Sequence, residues 1–262
     1  MKLKNKVAIV AGGSQGIGEA IALRFGAEGA CVAVVGSADL AKAGRVAEAI
    51  VQAGGRASAH VCDVRDMKAV AQLVAQVEVR HGPVDVLLNG AGVFYPTPAG
   101  STSDEDFDRM VGINFKGSWN MISAVAPSMK ARRSGRIVCI ASAAHTYGVA
   151  PYAVYCATKA AIVQMVKALA LELAPHGVGI NAIAPGNTES PMNADIRANP
   201  AAMQQITAAT PSGRAFSKVE DIAEIAVFLA SDASRAMHGS LVLADEGISA
   251  GMAMSDTAGT AS

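Results

Sequence analysis

Short apolar runs alternate along the chain with longer stretches in which apolar residues recur every three to four positions. Runs that lack internal alternation belong to strands covered on both faces, as in a parallel sheet. Strands are therefore predicted at Val7–Val10, Cys31–Val35, Ala57–Cys62, Val84–Leu88, Arg136–Ile140, Gly179–Ile183 and Ser240–Ala244. Helical periodicity predicts helices over Ile17–Glu28, Asp39–Ala53, Met67–His81, Asp104–Ala131, Tyr152–Ala174 and Lys218–Ser231. Ser103 offers an N-cap to the fourth of these, and Pro127 a kink or joint within it. This alternation predicts an α/β fold with a doubly wound, Rossmann-like parallel sheet in three α/β/α layers. One domain is expected over residues 1–254, followed by a small, polar, loosely held tail at 255–262. Pro185–Phe216 shows neither period and is long for a connection, so it is expected to be an irregular lid or binding loop.

Composition narrows the functional classes. The 22 basic and 22 acidic residues cancel, which removes the basic face that a nucleic-acid footprint or an anionic membrane surface requires. No uninterrupted apolar run reaches the length of a membrane span, and Val7–Val10 is too short for a secretory core. Cys31, Cys62, Cys139 and Cys156 form no CxxC pair, and the first three sit in apolar runs as small hydrophobes. A reducing cytoplasm and a small-molecule partner are the resulting expectations, with neither nucleic acid nor membrane among the partners.

The first strand leads into Gly12-Gly13-Ser14-Gln15-Gly16-Ile17-Gly18 and then a helix. Glycines in this context permit positive φ and close approach of the backbone to a pyrophosphate, which the helix N-terminus then faces. Further on, Tyr155 and Lys159 are spaced to share one helix face. A neighbouring ammonium is expected to lower the phenol pKa from its usual value near 10. Ser142 precedes this pair, just past the fifth strand. Tyr152, a rival for the tyrosine's role, has Cys156 rather than a lysine as its partner one turn on.

The Gly12-x-x-x-Gly16-x-Gly18 spacing, with Ser142 and Tyr155-x-x-x-Lys159, resembles the short-chain dehydrogenase/reductase family in its short single-domain subtype, from Lys6 to about Gly251. The resemblance implies an NAD(P)-dependent oxidoreductase interconverting a secondary alcohol and a ketone. Tyr155 would be the general acid/base, Ser142 the donor to the substrate oxygen, and Asn114 the holder of a relay water behind Lys159. It assigns Ser14, Gln15 and Ile17 to the cofactor along with the glycines, and Asp63 with Val64 to the adenine. Asn89, Ala91 and Gly92 match the NNAG segment lining the ribose, although Gly90 replaces its second asparagine. Pro185, Gly186, Thr188 and Ser190 match the segment that orients the carboxamide. Asp245-Glu246-Gly247 stands where two glycines commonly follow the aspartate, near the region where the family builds its homo-oligomer, a tetramer or dimer.

At the adenosine ribose, Gly36 and Ser37 replace the acidic residue that would repel a 2′-phosphate, so NADP(H) is favoured over NAD(H), unless Asp39 reaches the ribose. Phe94, Tyr95, His145, Tyr147, Tyr152, Met192 and part of the 193–216 lid are expected to face the substrate, which is read as a neutral carbonyl or alcohol because no cationic clamp is evident. Two rival functions stay open. One is a 3-ketoacyl-carrier-protein reductase docking its carrier on Arg132, Arg133 and Arg136. The other is a non-catalytic cofactor-sensing regulator, which could dispense with Tyr155, Lys159 or Ser142.

Overall fold

The computed structural model describes residues 1–251. Within them, seven strands form one parallel sheet in the order β3-β2-β1-β4-β5-β6-β7. These are β1 (Val7–Ala11), β2 (Cys31–Gly36), β3 (Arg56–Val61), β4 (Val86–Asn89), β5 (Gly135–Ile140), β6 (Val178–Pro185) and β7 (Leu241–Ala244). Every residue of β1, β2, β4 and β6 is buried, which is why their sequences run apolar without alternation. The pleat nevertheless sorts them. Ile9, Ala11, Val35 and Leu87 enter one core, while Ala8, Val10, Val34 and Leu88 enter the other.

The first core is closed by α3 (Met67–His81), α5 (Gly117–Arg132) and α6 (Ala153–Leu173). The second is closed by α1 (Gly16–Ala27), α2 (Leu40–Gln52) and α9 (Val219–Ala230). By length and composition, the helical stretch from Ala153 to His176 could cross a membrane. Its Ile162, Val166, Ala170 and Leu173 are instead packed into the first core. The strand order reverses between β1 and β4, which opens a crevice at their C-terminal ends.

Two sequence expectations need correction. The predicted helix over Asp104–Ala131 is divided, but not at Pro127, which lies inside α5. The division is a π-turn at Gly112–Lys116 that follows α4 (Asp104–Val111). Asn114, at its centre, is fully buried and bonds to Val93 and Thr158, so the extra residue in the turn serves that anchoring. The second correction concerns Pro185–Phe216, which contains α7 (Ala194–Arg197) and α8 (Pro200–Ala209). Asn199 caps α8 from Ala201 and Ala202, with Pro200 in the first turn. The tail expected at 255–262 and the domain limit at 254 lie outside the described residues.

Candidate active site

The crevice holds a cavity of about 620 Å3. One wall is the glycine turn before α1, where Gly12 and Gly16 have φ of +78° and +59°, a conformation that favours glycine. A Cβ on Gly18 would strike the Gly12 carbonyl, so the third glycine lets the helix close onto the turn. Gln15, the N-cap of α1, makes no side-chain cap. The first-turn N–H groups of α1 thus lack a capping acceptor and can serve an anion. Gly12, Ser14, Gln15, Gly16, Ile17 and Gly18 all line the cavity.

Toward β2 the lining passes through Gly36, Ser37, Asp63 and Val64. Asp39 is not part of this lining; its Oδ1 accepts from Ala41 and Lys42 N–H and caps α2. Asp63 is held by Arg65 through Nε and Nη2, at 3.0 and 2.7 Å, and this guanidinium keeps its carboxyl below the usual range. Ala91 and Gly92 line the middle of the cavity, and Pro185, Gly186, Thr188 and Ser190 the opposite side. Asn89 is absent from the wall. It is buried, and its Nδ2 donates to the Ser118 carbonyl at 2.9 Å, bracing β4 against α5.

Ser142, Tyr155 and Lys159 line the same cavity. Ser142 follows β5 and accepts from the Ala144 N–H at 3.2 Å, which leaves its hydroxyl hydrogen to donate elsewhere. Lys159 is buried and donates to the Ile140 carbonyl at 2.9 Å. Burial lowers its pKa to about 8. Burial also raises the Tyr155 pKa, with the hydrogen bond from Ser142 opposing it. The expected lowering by Lys159 is therefore not produced by the protein groups: the ammonium sits 5.6 Å from the ring centroid and burial is the larger effect. Asn114 lies behind the wall. Its side chain accepts from Val93 N–H at 2.8 Å and donates to the Val93 carbonyl and Thr158 Oγ1. It ties the loop after β4 to α6 next to Lys159.

Of the residues expected to face substrate, Phe94, Tyr147 and Met192 line the cavity. Tyr152 lies behind Phe94, stacked at 4.2 Å, and Phe94 meets the Tyr155 ring edge-on at 4.8 Å. Tyr95 turns to α4, donating to the Asp106 carbonyl at 2.6 Å. The ring of His145 is occupied by the Ser142 carbonyl, 2.7 Å from Nδ1. Ile196 and Phe216, from the 193–216 lid expected to face substrate, line it too, whereas sequence reasoning missed Arg65 and Arg109 there. No cationic clamp is evident in the sequence; Arg109 brings one guanidinium to the lining, over the Tyr95 ring at 5.7 Å. Arg109 precedes Ile113 by one helical turn, and both face the cavity, a periodicity that could have exposed it.

The arginine cluster offered for carrier docking is already engaged. Arg132 pairs with Asp85 and donates to the Val84 carbonyl, Arg136 pairs with Asp232, and Arg133 donates to the Pro175 carbonyl.

Comparisons with known proteins agree with this architecture. A family model described as enoyl-(acyl carrier protein) reductase matches residues 11–249. The oxidoreductase UcpA of Escherichia coli K12 is 37% identical over 254 residues, covering 94% of this chain and 95% of that protein. Galactitol 2-dehydrogenase of Agrobacterium fabrum is 37% identical over 241 residues, covering 88% and 92%. A gluconate 5-dehydrogenase from Burkholderia cenocepacia, solved in complex with NADP and tartrate, superposes with a TM-score of 0.91 at 29% identity, covering 96% and 98%.

Proposed function

The chain belongs to the short-chain dehydrogenase/reductase family, and on that premise we propose that it interconverts a secondary alcohol and a ketone by hydride transfer, with Tyr155 as general acid and base. The observation that carries the reading is the convergence of Ser142, Tyr155 and buried Lys159 on one cavity wall.

The cavity fits a dinucleotide. The uncapped N-terminus of α1 offers N–H groups to a pyrophosphate, and the lining continues from Ser37 at one end to Tyr155 at the other. Residues Gly12–Gly18 would hold the phosphates, and Ala91, Gly92 and Thr188 the parts of the cofactor beyond them. When bound, the nicotinamide ring donates or accepts the hydride. Tyr155, held in its acid form by burial, delivers a proton to the carbonyl oxygen during ketone reduction. Ser142 turns its hydroxyl hydrogen to the same oxygen as negative charge develops. Lys159 is fixed by Ile140 within reach of the Tyr155 ring, and Asn114 anchors the helix that carries both.

NADP(H) is favoured over NAD(H), since Gly36 and Ser37 present no carboxylate and Asp39 caps α2 without lining the cavity. The solved relative with NADP supports the same reading. The substrate is proposed to be a small ketone or secondary alcohol bounded by Phe94, Tyr147, Met192 and Phe216, with Arg109 able to tolerate an anionic group at the rim. Relatives that act on galactitol and gluconate direct the search to polyols and sugar acids. A carrier-linked substrate is less favoured because Arg132 and Arg136 are spent on Asp85 and Asp232. The proposal includes a homo-oligomer in a reducing cytoplasm.

A spectrophotometric panel of ketones, polyols, sugar acids and carrier-linked ketoacyl groups with both nicotinamides tests this reading. Turnover of small carbonyls or alcohols is expected. Activity confined to carrier-linked substrates would overturn the substrate class, and cofactor binding without any turnover would favour the regulator.

A further inference from the structure

Glu246 holds an unusual position in the turn after β7. Its φ of +58° lies in the left-handed region, where a side chain is disfavoured unless other contacts hold it. Those contacts are present, and they converge on one segment. The carboxylate accepts from Arg214 Nε and Nη2 at 3.1 and 2.8 Å and from Ser217 Oγ at 2.8 Å. The main-chain oxygen accepts from Ser212 N–H at 3.3 Å. Only 10% of the Glu246 side chain is exposed, and Ser212, then Ser217 and Arg214, hold its carboxyl below the usual range.

Ser217 passes this anchoring on toward the cavity. Its N–H donates to the Asn187 carbonyl at 2.8 Å, and its carbonyl accepts from Glu189 N–H at 3.0 Å, so that it pairs with Thr188 like a short parallel strand. Asn187, Thr188 and Phe216 line the cavity. On the far side, Asn193 donates to the Thr188 carbonyl at 2.7 Å, and Arg197 to Ser190 carbonyl and Asn193 Oδ1. The start and the end of the 187–217 segment are thereby joined, and Glu246 is the outside support of the joint. A side chain on Gly247 would crowd Pro211, whose Cβ lies 3.2 Å from where the added Cβ would stand.

We propose that Glu246 is a positioning residue that holds the 187–217 segment as a set lid over the cofactor end of the cavity, acting through Ser217 and Arg214. The cofactor part of this proposal rests on the oxidoreductase reading; the lid part does not.

Glu246→Gly suits the test because glycine adopts the observed φ freely, so loss of the carboxylate is offset by relief of the backbone. Expected for Glu246→Gly is a melting temperature within a few degrees of the parent. Amide exchange at Glu189 and Ser217 should be at least tenfold faster, and affinity for the preferred reduced nicotinamide about tenfold weaker. The KM for that nicotinamide should rise more than kcat falls. Glu246→Gln keeps an acceptor for Ser217 and should recover most of the exchange protection. Ser217→Ala in the Glu246→Gly background should add little, since both changes cut the same link. Unchanged exchange at Glu189 and Ser217 in Glu246→Gly overturns the proposal. So does acceleration spread over the whole chain, which marks a general stability role. If the parent turns over no carbonyl or alcohol, the oxidoreductase reading fails, and the exchange measurements still decide the role of Glu246.

Discussion

The Lys159 ammonium donates to the Ile140 carbonyl oxygen at 2.9 Å, which pins α6 to the end of β5 while the cation itself is buried. Burial costs the charged form stability and lowers the lysine pKa to about 8 from its ordinary 10.5.

That depression has a sign. Between about pH 8 and 10.5 the unfolded chain holds a proton at this lysine that the folded chain has lost, so folding stability from this group rises with pH across that window. Below about pH 8 the cost is fully present. Lys159→Met is therefore expected to abolish turnover yet stabilise the fold at pH 7 by about 1–3 kcal/mol, because a buried charge gives way to an apolar chain of similar size. Denaturant titrations at pH 7 and pH 10 check this: the gain should shrink at the higher pH. A destabilised variant at pH 7 would show that the Ile140 bond outweighs the burial.

Tyr155 is raised by burial above its ordinary value of 10, so it enters the reaction as an acid at neutral pH. Ketone reduction is expected to be flat from pH 6 to 8, while alcohol oxidation, which needs the phenolate, rises with pH through that range. Tyr155→Phe should lower turnover by about 10³-fold, within the range expected for general acid–base catalysis. Cofactor affinity, read by nicotinamide fluorescence, should change by less than about threefold. Ser142→Ala should cost about 10²-fold in kcat with the same cofactor affinity.

Cofactor choice can be separated from helix capping at neighbouring positions. Ser37→Asp places a carboxylate at the cavity end of β2, and the repulsion of a 2′-phosphate at a solvated site is about 1–2 kcal/mol. NADPH should bind roughly five- to thirtyfold more weakly and NADH nearly unchanged. Asp39→Ala should instead cost about 1 kcal/mol of stability through the lost α2 cap, leaving the ratio of the two affinities intact. A change of preference in Asp39→Ala would show that this carboxylate does reach the ribose.

The strands and the glycine turn were legible because both depend on local rules: apolar runs where two faces are covered, and glycine where φ turns positive. The spacing of Tyr155 and Lys159 was legible for the same reason, since one helix carries both. What the sequence concealed depends on contacts between distant segments. Nothing local distinguishes Asn89 turned toward Ser118 from an asparagine facing the cavity; the Asp39 cap on Ala41 and Lys42, by contrast, is itself a local signal at a helix start. The division of α4 from α5 fell at Asn114 rather than Pro127 because burial of one amide against Val93 and Thr158 decided it. Helices α7 and α8 escaped notice because neither has a fully buried residue to impose a period.

A chain of polar groups that does not line the cavity makes the last prediction. Ser58 Oγ lies 2.8 Å from Nε2 of both His60 and His81, and His81 Nδ1 lies 3.2 Å from Cys31 Sγ. A hydroxyl has one hydrogen, so it donates to one imidazole and accepts from the other, which requires at least one ring to keep an unprotonated nitrogen. Burial, and then Arg80, lower the pKa of both histidines; His81 further opposes the charge of His60, and Arg56 that of His81. A depressed histidine contributes stability that is present above its unfolded pKa near 6.5 and is lost as pH falls through the folded value. The melting temperature is therefore expected to fall between pH 6.5 and pH 5 more steeply than in His60→Gln, which titrates nothing there and keeps an amide able to meet the Ser58 hydroxyl. Parallel curves for parent and variant would mean that His60 is protonated alike in both states.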